Sequence, residues 1–571
     1  MDLETLLQQI ADGRPIDADA LLPHLCREDR DERLQVNLRL ADAYSETGAH
    51  ERAGVFVRRA WVLSGFSPDL IERFVSIHAA YGDAAAIREA YKRLGMRRSE
   101  EGDLDRAIES FYASIFAFGY HSRLDRYEYD FDILDRIERM ARPYRFRPRT
   151  RAASAPDRKI RVAYLTHLLS NPTSVFYRIN LSLAEHHDPS RFEVTFFSTE
   201  PASAYPDGKP PARFDALGYL VVTAPEAGSK TERLVWLGTR IAAFRPDLLV
   251  TNAALSDLDS YFVTCLRPAP ATLGLVYGPP PQFTAPGFDG SIASARHPLI
   301  DTPGPCAFVP VEVALPDRDR VEPLPRRRFD LPDDAVILLT GGRPVKFQDR
   351  SFWEAIFALL RARPAAWFVA VGVRPEQLPA PLDRIPADLE ARVRFLDWQE
   401  EYPEILTLAD VVIDTYPSGG GLVLMDAMAL GRPVVSFRND YLRAFDQTDW
   451  SVAMEFVPIP ELIVPRGDFE AFHSAVTRLI DDEAHRRRMA ERCRETIFQT
   501  RGQPQRMVRG YEEVYRRVAT ASAGGDRRVV VQRPGWRRRW VPWLIRWFPP
   551  SYPLLQWCWR FGARVGRRSS R

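Results

Sequence analysis

"ADVVIDTYPSGGGLVLMDAMALGRPVV", Ala409 to Val435, runs from an apolar stretch through a turn and three consecutive glycines into a second apolar stretch. "ADVVIDTYP" predicts a buried strand ending in a turn, and "LVLMDAMALG" a helix whose small residues suit close packing. Gly419, Gly420 and Gly421 then stand at a helix N-terminus, where unpaired N–H groups and the positive end of the macrodipole favour an anion. Glycine also lets a backbone approach a ligand with no Cβ in the way. Two readings stand: a loose strand-to-helix connection, or the floor of a phosphate site suited to the diphosphate of a nucleotide sugar. In the second reading Asp426, further along the helix, accepts from ribose hydroxyls.

Outward from this stretch the same alternation repeats. "AVILLTGG", "AWFVAVG" and "RVRFLDW" precede it and "PVVSF" closes it, with helical pieces such as "SFWEAIFALLRAR" between. An earlier series, "KIRVAYLT", "FEVTFFST" and "PDLLVTNA", has the same character. Strands alternating with helices mean βαβ units and parallel sheets. The expected fold is therefore α/β: two Rossmann-like domains at residues 158–320 and 326–520, joined through "EPLPRRRFDLPDD". A ligand belongs in the cleft between them, at the carboxyl ends of the strands. "LRPAPATLGLVYGPPPQFTAPGFDG" is Pro/Gly-rich and reads as loop.

Residues 1–150 read as an all-helical domain. "LQVNLRLADAYSETGAHERAGVFVRRA" and "EEGDLDRAIESFYASIFAFG" resemble degenerate tetratricopeptide helix pairs, with a generic helical bundle as the alternative. The 571 residues exceed what one core holds. A net charge of +2 gives no global reason to expect nucleic acid as a partner. The five cysteines show no disulfide or metal spacing, which favours a reducing, cytoplasmic setting. The acidic start does not read as a secretory signal. The tail 527–571 has no acids, many arginines and six of the twelve tryptophans. Four prolines between Trp540 and Trp559, together with Arg546, argue against a spanning helix there, so the tail suits either contact with an anionic membrane surface or an ordered wrap on the catalytic part.

A second loop strengthens the phosphate reading. "TGGRPVKFQD", Thr340 to Asp349, follows the first strand of the same unit, so Arg343 and Lys346 would bring cations to the diphosphate. His167 follows the first strand of the other unit and is a candidate polar group or base. Asp257 and Asp259 form a D-x-D that reads better as a solvated loop or helix cap than as a metal site. His186 and His187 read as a helix end.

Together these segments resemble the GT-B glycosyltransferases, and in particular the catalytic region of the O-linked N-acetylglucosamine transferase family and its bacterial HMW1C-type relatives. The matching segments are the Ala409–Val435 stretch, "IRVAYLTHLLSNPTSVFYRINLSLAEHHDPSRFEVTFFS", "LRPAPATLGLVYGPPPQ" and "GGRPVKFQD", in that family's order over roughly residues 158–517. The resemblance implies transfer from a UDP-sugar with inversion. Lys346 and the Gly419–Gly421 amides would stabilise the leaving diphosphate, Ser418 and Arg343 would help bind the donor, Asp426 would hold the ribose, and "RFLDWQ" would border the uracil. It implies no metal or other cofactor. The acceptor would be a protein, a glycan or a lipid-linked glycan. Gly421, Leu422 and Val423 stand where the family has a histidine and a hydroxyl pair, and the loop drifts toward the retaining GT4 pattern "EGFGLVLLEAM". That departure supports the alternative, a non-catalytic relative that binds a nucleotide or a partner.

Overall fold

The computed structural model describes residues 1–117, 130–147, 158–277, 285, 287–294, 306–347, 349–378, 385–399, 401–416, 419–438 and 452–521. The chain divides into two compact units, Met1–Arg123 and Leu124–Arg571.

The first unit is helical: α1 Leu3–Ala11, α2 Ala18–Leu25, α3 Arg30–Glu46, α4 His50–Leu63, α5 Ile71–Ala80, α6 Ala84–Glu100 and α7 Leu104–Tyr112. Its punctuation is written in the sequence. Asp2, Asp17, Asp29, Asp83 and Asp103 each accept a backbone N–H at a helix start. Gly48, Gly65, Gly82 and Gly102 take positive φ just past the helix ends, as a left-handed terminator requires. The first expected helix pair is α3–α4; the second expected stretch, residues 100–119, holds the end of α6 and α7, and its last two residues lie outside the described ones. Leu40, Ala53, Val57, Trp61 and Phe74 form the buried centre.

The second unit begins with α8, Phe131–Ala141. The expected helical domain of 1–150 therefore loses its last part to the unit that follows. Phe146 N–H donates to Leu266 O (2.9 Å), Arg145 Nε donates to Cys265 O (3.0 Å), and Tyr144 packs against Phe262. The helical pattern in the sequence does not distinguish which core α8 covers.

Two parallel sheets follow. The first holds β1 Ile160–Thr166, β2 Phe192–Pro201, β3 Val221–Ala224, β4 Leu248–Thr251, β5 Thr272–Val276, β6 Gly290–Ala293 and β7 Cys306–Phe308, in the order β3-β2-β1-β4-β5-β6-β7. The second holds β8 Val336–Gly341, β9 Ala366–Val371, β10 Val393–Leu396, β11 Val411–Ile413, β12 Val434–Phe437 and β13 Ile463–Val464, in the order β10-β9-β8-β11-β12-β13. Every pairing within the two sheets is parallel. The connecting helices are α9 Val175–His186, α10 Ala212–Ala216, α11 Lys230–Phe244, α12 Leu258–Cys265, α13 Arg350–Ala362, α14 Tyr402–Leu406, α15 Leu422–Ala429, α16 Val452–Phe456, α17 Phe469–Asp481, α18 Glu483–Arg501 and α19 Pro504–Ala521. This is the two-Rossmann GT-B architecture. One expectation fails locally: the segment read as loop contains β5, whose "TLGLV" is buried throughout. Flanking prolines masked a short interior strand.

In each sheet the strand order reverses once, between β1 and β4 and between β8 and β11. The loops leaving these strands diverge there and open a crevice. Helix α19 returns to the first sheet's half. Tyr515 and His187 flank the buried Tyr164 hydroxyl at 2.8 and 2.7 Å, and His187 Nδ1 lies 3.0 Å from Glu512. His187 thus ends α9, as expected, and also fastens the last helix. Arg506 pairs with the buried Glu312 through two bonds of 2.6 and 2.8 Å. Among the described residues no helix is long and apolar enough to cross a membrane. The tail 527–571 lies outside them.

Candidate active site

At the second sheet's crevice, β8 runs into Gly341-Gly342 and β11 into Asp414. A Cβ on Gly341 would collide with the Tyr402 hydroxyl. One on Gly342 would press on Lys346 and Thr415, at 3.2 and 3.4 Å. Packing thus requires glycine at 341, while at 342 a side chain would have to displace its neighbours slightly. The Lys346 ammonium, half-buried, donates to Gly419 O at 2.6 Å and so bridges the two loops. Burial pulls its pKa down to about 8, with Asp414 opposing the shift and Arg343 adding to it. Asp414 organises the glycine loop: Oδ1 accepts from Gly420 N (2.6 Å) and Thr415 N (2.9 Å), and Oδ2 accepts from Ser436 Oγ (2.6 Å). Burial raises the Asp414 pKa despite these bonds and Lys346.

These contacts redistribute the expected roles of the three glycines. Gly419 presents its carbonyl to Lys346, and the Gly420 amide is taken by Asp414. The N–H groups of Gly421, Leu422 and Val423, at the start of α15, have no acceptor among the described residues. The amides without an acceptor thus begin at Gly421, after the two glycines whose polar groups are already engaged. Arg343 is exposed on the same loop, and Ser418 lies outside the described residues. In the "RFLDWQ" segment Gly372 N–H donates to Leu396 O at 2.8 Å, and Trp398 is exposed.

The first sheet's crevice carries a histidine–carboxylate pair. His167 follows β1, and its Nδ1 lies 2.8 Å from Asp257 Oδ2, beyond β4. Asp257 also caps α12 by accepting from Ser260 N at 3.0 Å, as the helix-cap reading expects, but it is buried (2% exposed) rather than solvated. Burial opposes the charged imidazole, yet Asp257, with Glu200 and Asp259, outweighs it and holds the His167 pKa above its ordinary value. Asp259 faces Lys230 at 3.5 Å. Two non-glycine residues flank the pair in left-handed or more extreme backbone: Leu168 (φ 58°) and Ala254 (φ 113°). Such strain persists where the surroundings over-determine it, and it concentrates at functional sites.

A third group of side chains joins the halves. Arg178, in the first turn of α9, meets Asp426 of α15 with bonds of 2.6 and 2.9 Å, and Arg178 Nη2 also donates to Ala314 O at 2.7 Å. Asp426 is therefore a buried carboxylate already paired with an arginine from the other half. Burial raises its pKa and Arg178 works against that rise. Glu455 of α16 is buried at the same seam. Desolvation pushes its pKa up to about 7, against Ser294 and Arg501. The acid is neutral in the fold where it would ionise in the unfolded chain, so stability falls as pH rises from about 4.5 to about 7 and the loss is complete above that. Glu455→Gln is therefore expected to raise the melting temperature above pH 7 and to leave it unchanged near pH 4.

Sequence reasoning groups Lys346, Gly419, Gly420, Gly421 and Asp426; in the structure Lys346 meets Gly419 O, and Asp426, on the helix that follows the glycines, pairs with Arg178. Sequence reasoning misses Asp257's contact, Asp414, Tyr402 and Arg178. An acid closing the apolar run "DVVID" is a readable signal for Asp414. Arg178 carries none, because its partner is 248 residues away.

Residues 336–482 match the family model "Glycosyl transferases group 1". Two curated Rhizobium meliloti relatives, the lipopolysaccharide core biosynthesis glycosyltransferases LpsE and LpsD, are each 29% identical, over 181 and 177 residues. Each match covers 31% of this chain and 49% or 48% of the relative, so the chain spans about half the length of the curated relatives it matches. A solved mutant of the Thermobaculum terrenum O-GlcNAc transferase is 15% identical with a TM-score of 0.51, over 87% of this chain and 99% of that one. This last likeness concerns the fold alone.

Proposed function

We propose that this chain, whose residues 336–482 form a group 1 glycosyltransferase domain within a GT-B fold, transfers a sugar from a UDP-sugar to a glycan or protein acceptor, with inversion. The observation that carries this reading is the juxtaposition at the second sheet's crevice. One ammonium, Lys346, and one helix N-terminus, that of α15, flank the same glycine loop. Such a pair suits a leaving diphosphate, whose negative charge grows in the transition state. Together the two neutralise that charge, so donor binding is expected to survive chelation of divalent ions.

His167, backed by Asp257, supplies the base that an inverting transfer requires. Its Nε2 takes the acceptor hydroxyl's proton as that oxygen bonds to the anomeric carbon. The carbon–oxygen bond to the diphosphate breaks, and its electron pair leaves with UDP. The relatives' names point to lipopolysaccharide core, which favours a glycan acceptor over a protein. The Arg/Trp-rich segment 527–571 would bring such a reaction to an anionic membrane face, and co-flotation with anionic vesicles that is lost on its removal is the expected sign.

The test is UDP release from a panel of UDP-sugars with glycan and protein extracts as acceptors, with the product's anomeric configuration read by NMR. An inverted linkage supports the reading. A retained configuration removes the base role of His167, and UDP binding without turnover on any acceptor favours the non-catalytic alternative.

A further inference from the structure

The pair between Arg178 and Asp426 joins the acceptor-side half to the helix that lines the donor crevice. Asp426 sits on α15, whose N-terminus is the proposed diphosphate position, and its side chain is 8% exposed. Arg178 sits on α9, the helix that follows β1 and His167, with its side chain 19% exposed. The guanidinium is fixed at three points: Asp426 Oδ2 at 2.6 Å, Asp426 Oδ1 at 2.9 Å and Ala314 O at 2.7 Å. Ala314 belongs to the segment between β7 and β8, which connects the halves.

An ionised carboxylate is acceptor-only and offers about four lone-pair positions. A fork-on pair with arginine takes one on each oxygen and leaves one on each, a spacing that suits the two hydroxyls of a vicinal diol. Without a cation, a carboxyl buried this deeply favours its protonated form, which can no longer accept at both oxygens. The Tyr402 hydroxyl, over Gly341 at the end of β8, is buried with no partner among the described residues.

We propose that Arg178 is a positioning residue of the donor site, holding Asp426 from the opposite half so that its remaining lone pairs receive the 2′- and 3′-hydroxyls of the donor ribose. This rests on the UDP-sugar reading above. It goes further in making the ribose contact depend on a residue outside the nucleotide-binding half. Arg178 itself touches neither the sugar nor the diphosphate. The opposite assignment, an arm that occludes Asp426 until the donor displaces it, fits less well, because the Ala314 carbonyl pins the guanidinium independently of Asp426.

Calorimetric titration of the full chain with UDP and with 2′,3′-dideoxyuridine diphosphate tests this in wild type, Arg178→Met, Arg178→Lys and Asp426→Asn. Wild type is expected to prefer UDP, and Asp426→Asn to lose that preference. Arg178→Met is expected to weaken UDP binding roughly tenfold while leaving the dideoxy compound unchanged. Arg178→Lys recovers part of the difference. The unchanged dideoxy affinity also shows that the variant is folded. If Arg178→Met tightens UDP, Arg178 is an occluding arm and the proposal is wrong. It is equally wrong if both ligands weaken together or neither changes. A wild type that binds both compounds alike overturns the ribose reading of Asp426 itself, an outcome distinct from failure of Arg178 alone.

Discussion

Lys346→Ala is expected to reduce sugar transfer a hundredfold or more, the scale seen when a preorganised donor to developing negative charge is removed. The effect is large because Lys346 does two things at once. It provides the cation nearest the proposed diphosphate position, and through Gly419 O it ties the β8 loop to the glycine loop. Arginine at the position keeps the charge but not the compact ammonium that fits between Gly342 and Gly419, so Lys346→Arg is expected to recover little. The lysine's pKa near 8 adds a pH signature. In the ligand-free protein the ammonium form is lost as pH rises through about 8, so UDP affinity should decline across that range in wild type. In Lys346→Ala the decline should be absent. UDP titrations from pH 6.5 to 9.5 read both; an alanine variant with wild-type turnover would remove Lys346 from the mechanism.

His167→Gln is expected to lower kcat by between a hundredfold and ten-thousandfold, the usual contribution of a positioned base, with little change in the KM for the donor. Glutamine keeps a polar group near Asp257 but accepts no proton, so the experiment separates packing from proton transfer. The pH dependence has a definite sign. A base must be neutral to act, and Asp257 holds the imidazole pKa above its ordinary value of 6.5. Transfer should therefore fall as pH drops through a midpoint above 6.5. Asp257→Asn removes the main charge that raises this pKa, so the acid limb should move to lower pH while kcat on the plateau declines. An unchanged limb in Asp257→Asn would assign it to another group.

Much of this architecture is legible in the sequence, because parallel strands buried on both faces read as short apolar runs. Seven of the eight expected runs fall in the interior of their sheets or at the order reversals; "RVRFLDW" is β10, at a sheet edge. The glycines and Lys346 are legible for a related reason, since loops at strand ends carry residues whose spacing follows the local chain. Legibility fails where the partner is distant in sequence. The contacts of Asp426 with Arg178, His167 with Asp257 and His187 with Glu512 each depend on which helix the tertiary fold brings alongside. The Asp414 bond to the Gly420 amide is local, yet hidden too, because a turn's hydrogen-bond direction is not encoded in composition. That one bond is why the proposed anion position falls on the amides that begin α15 rather than on Gly420.

The most direct test of the central claim is a crystal structure of the full chain with UDP. The account predicts the diphosphate within hydrogen-bond reach of Lys346 Nζ and the N–H groups of Gly421 to Val423, with the ribose hydroxyls on Asp426 and the Arg178 pair intact. UDP seated elsewhere, or a diphosphate contacting neither Lys346 nor the start of α15, would contradict it.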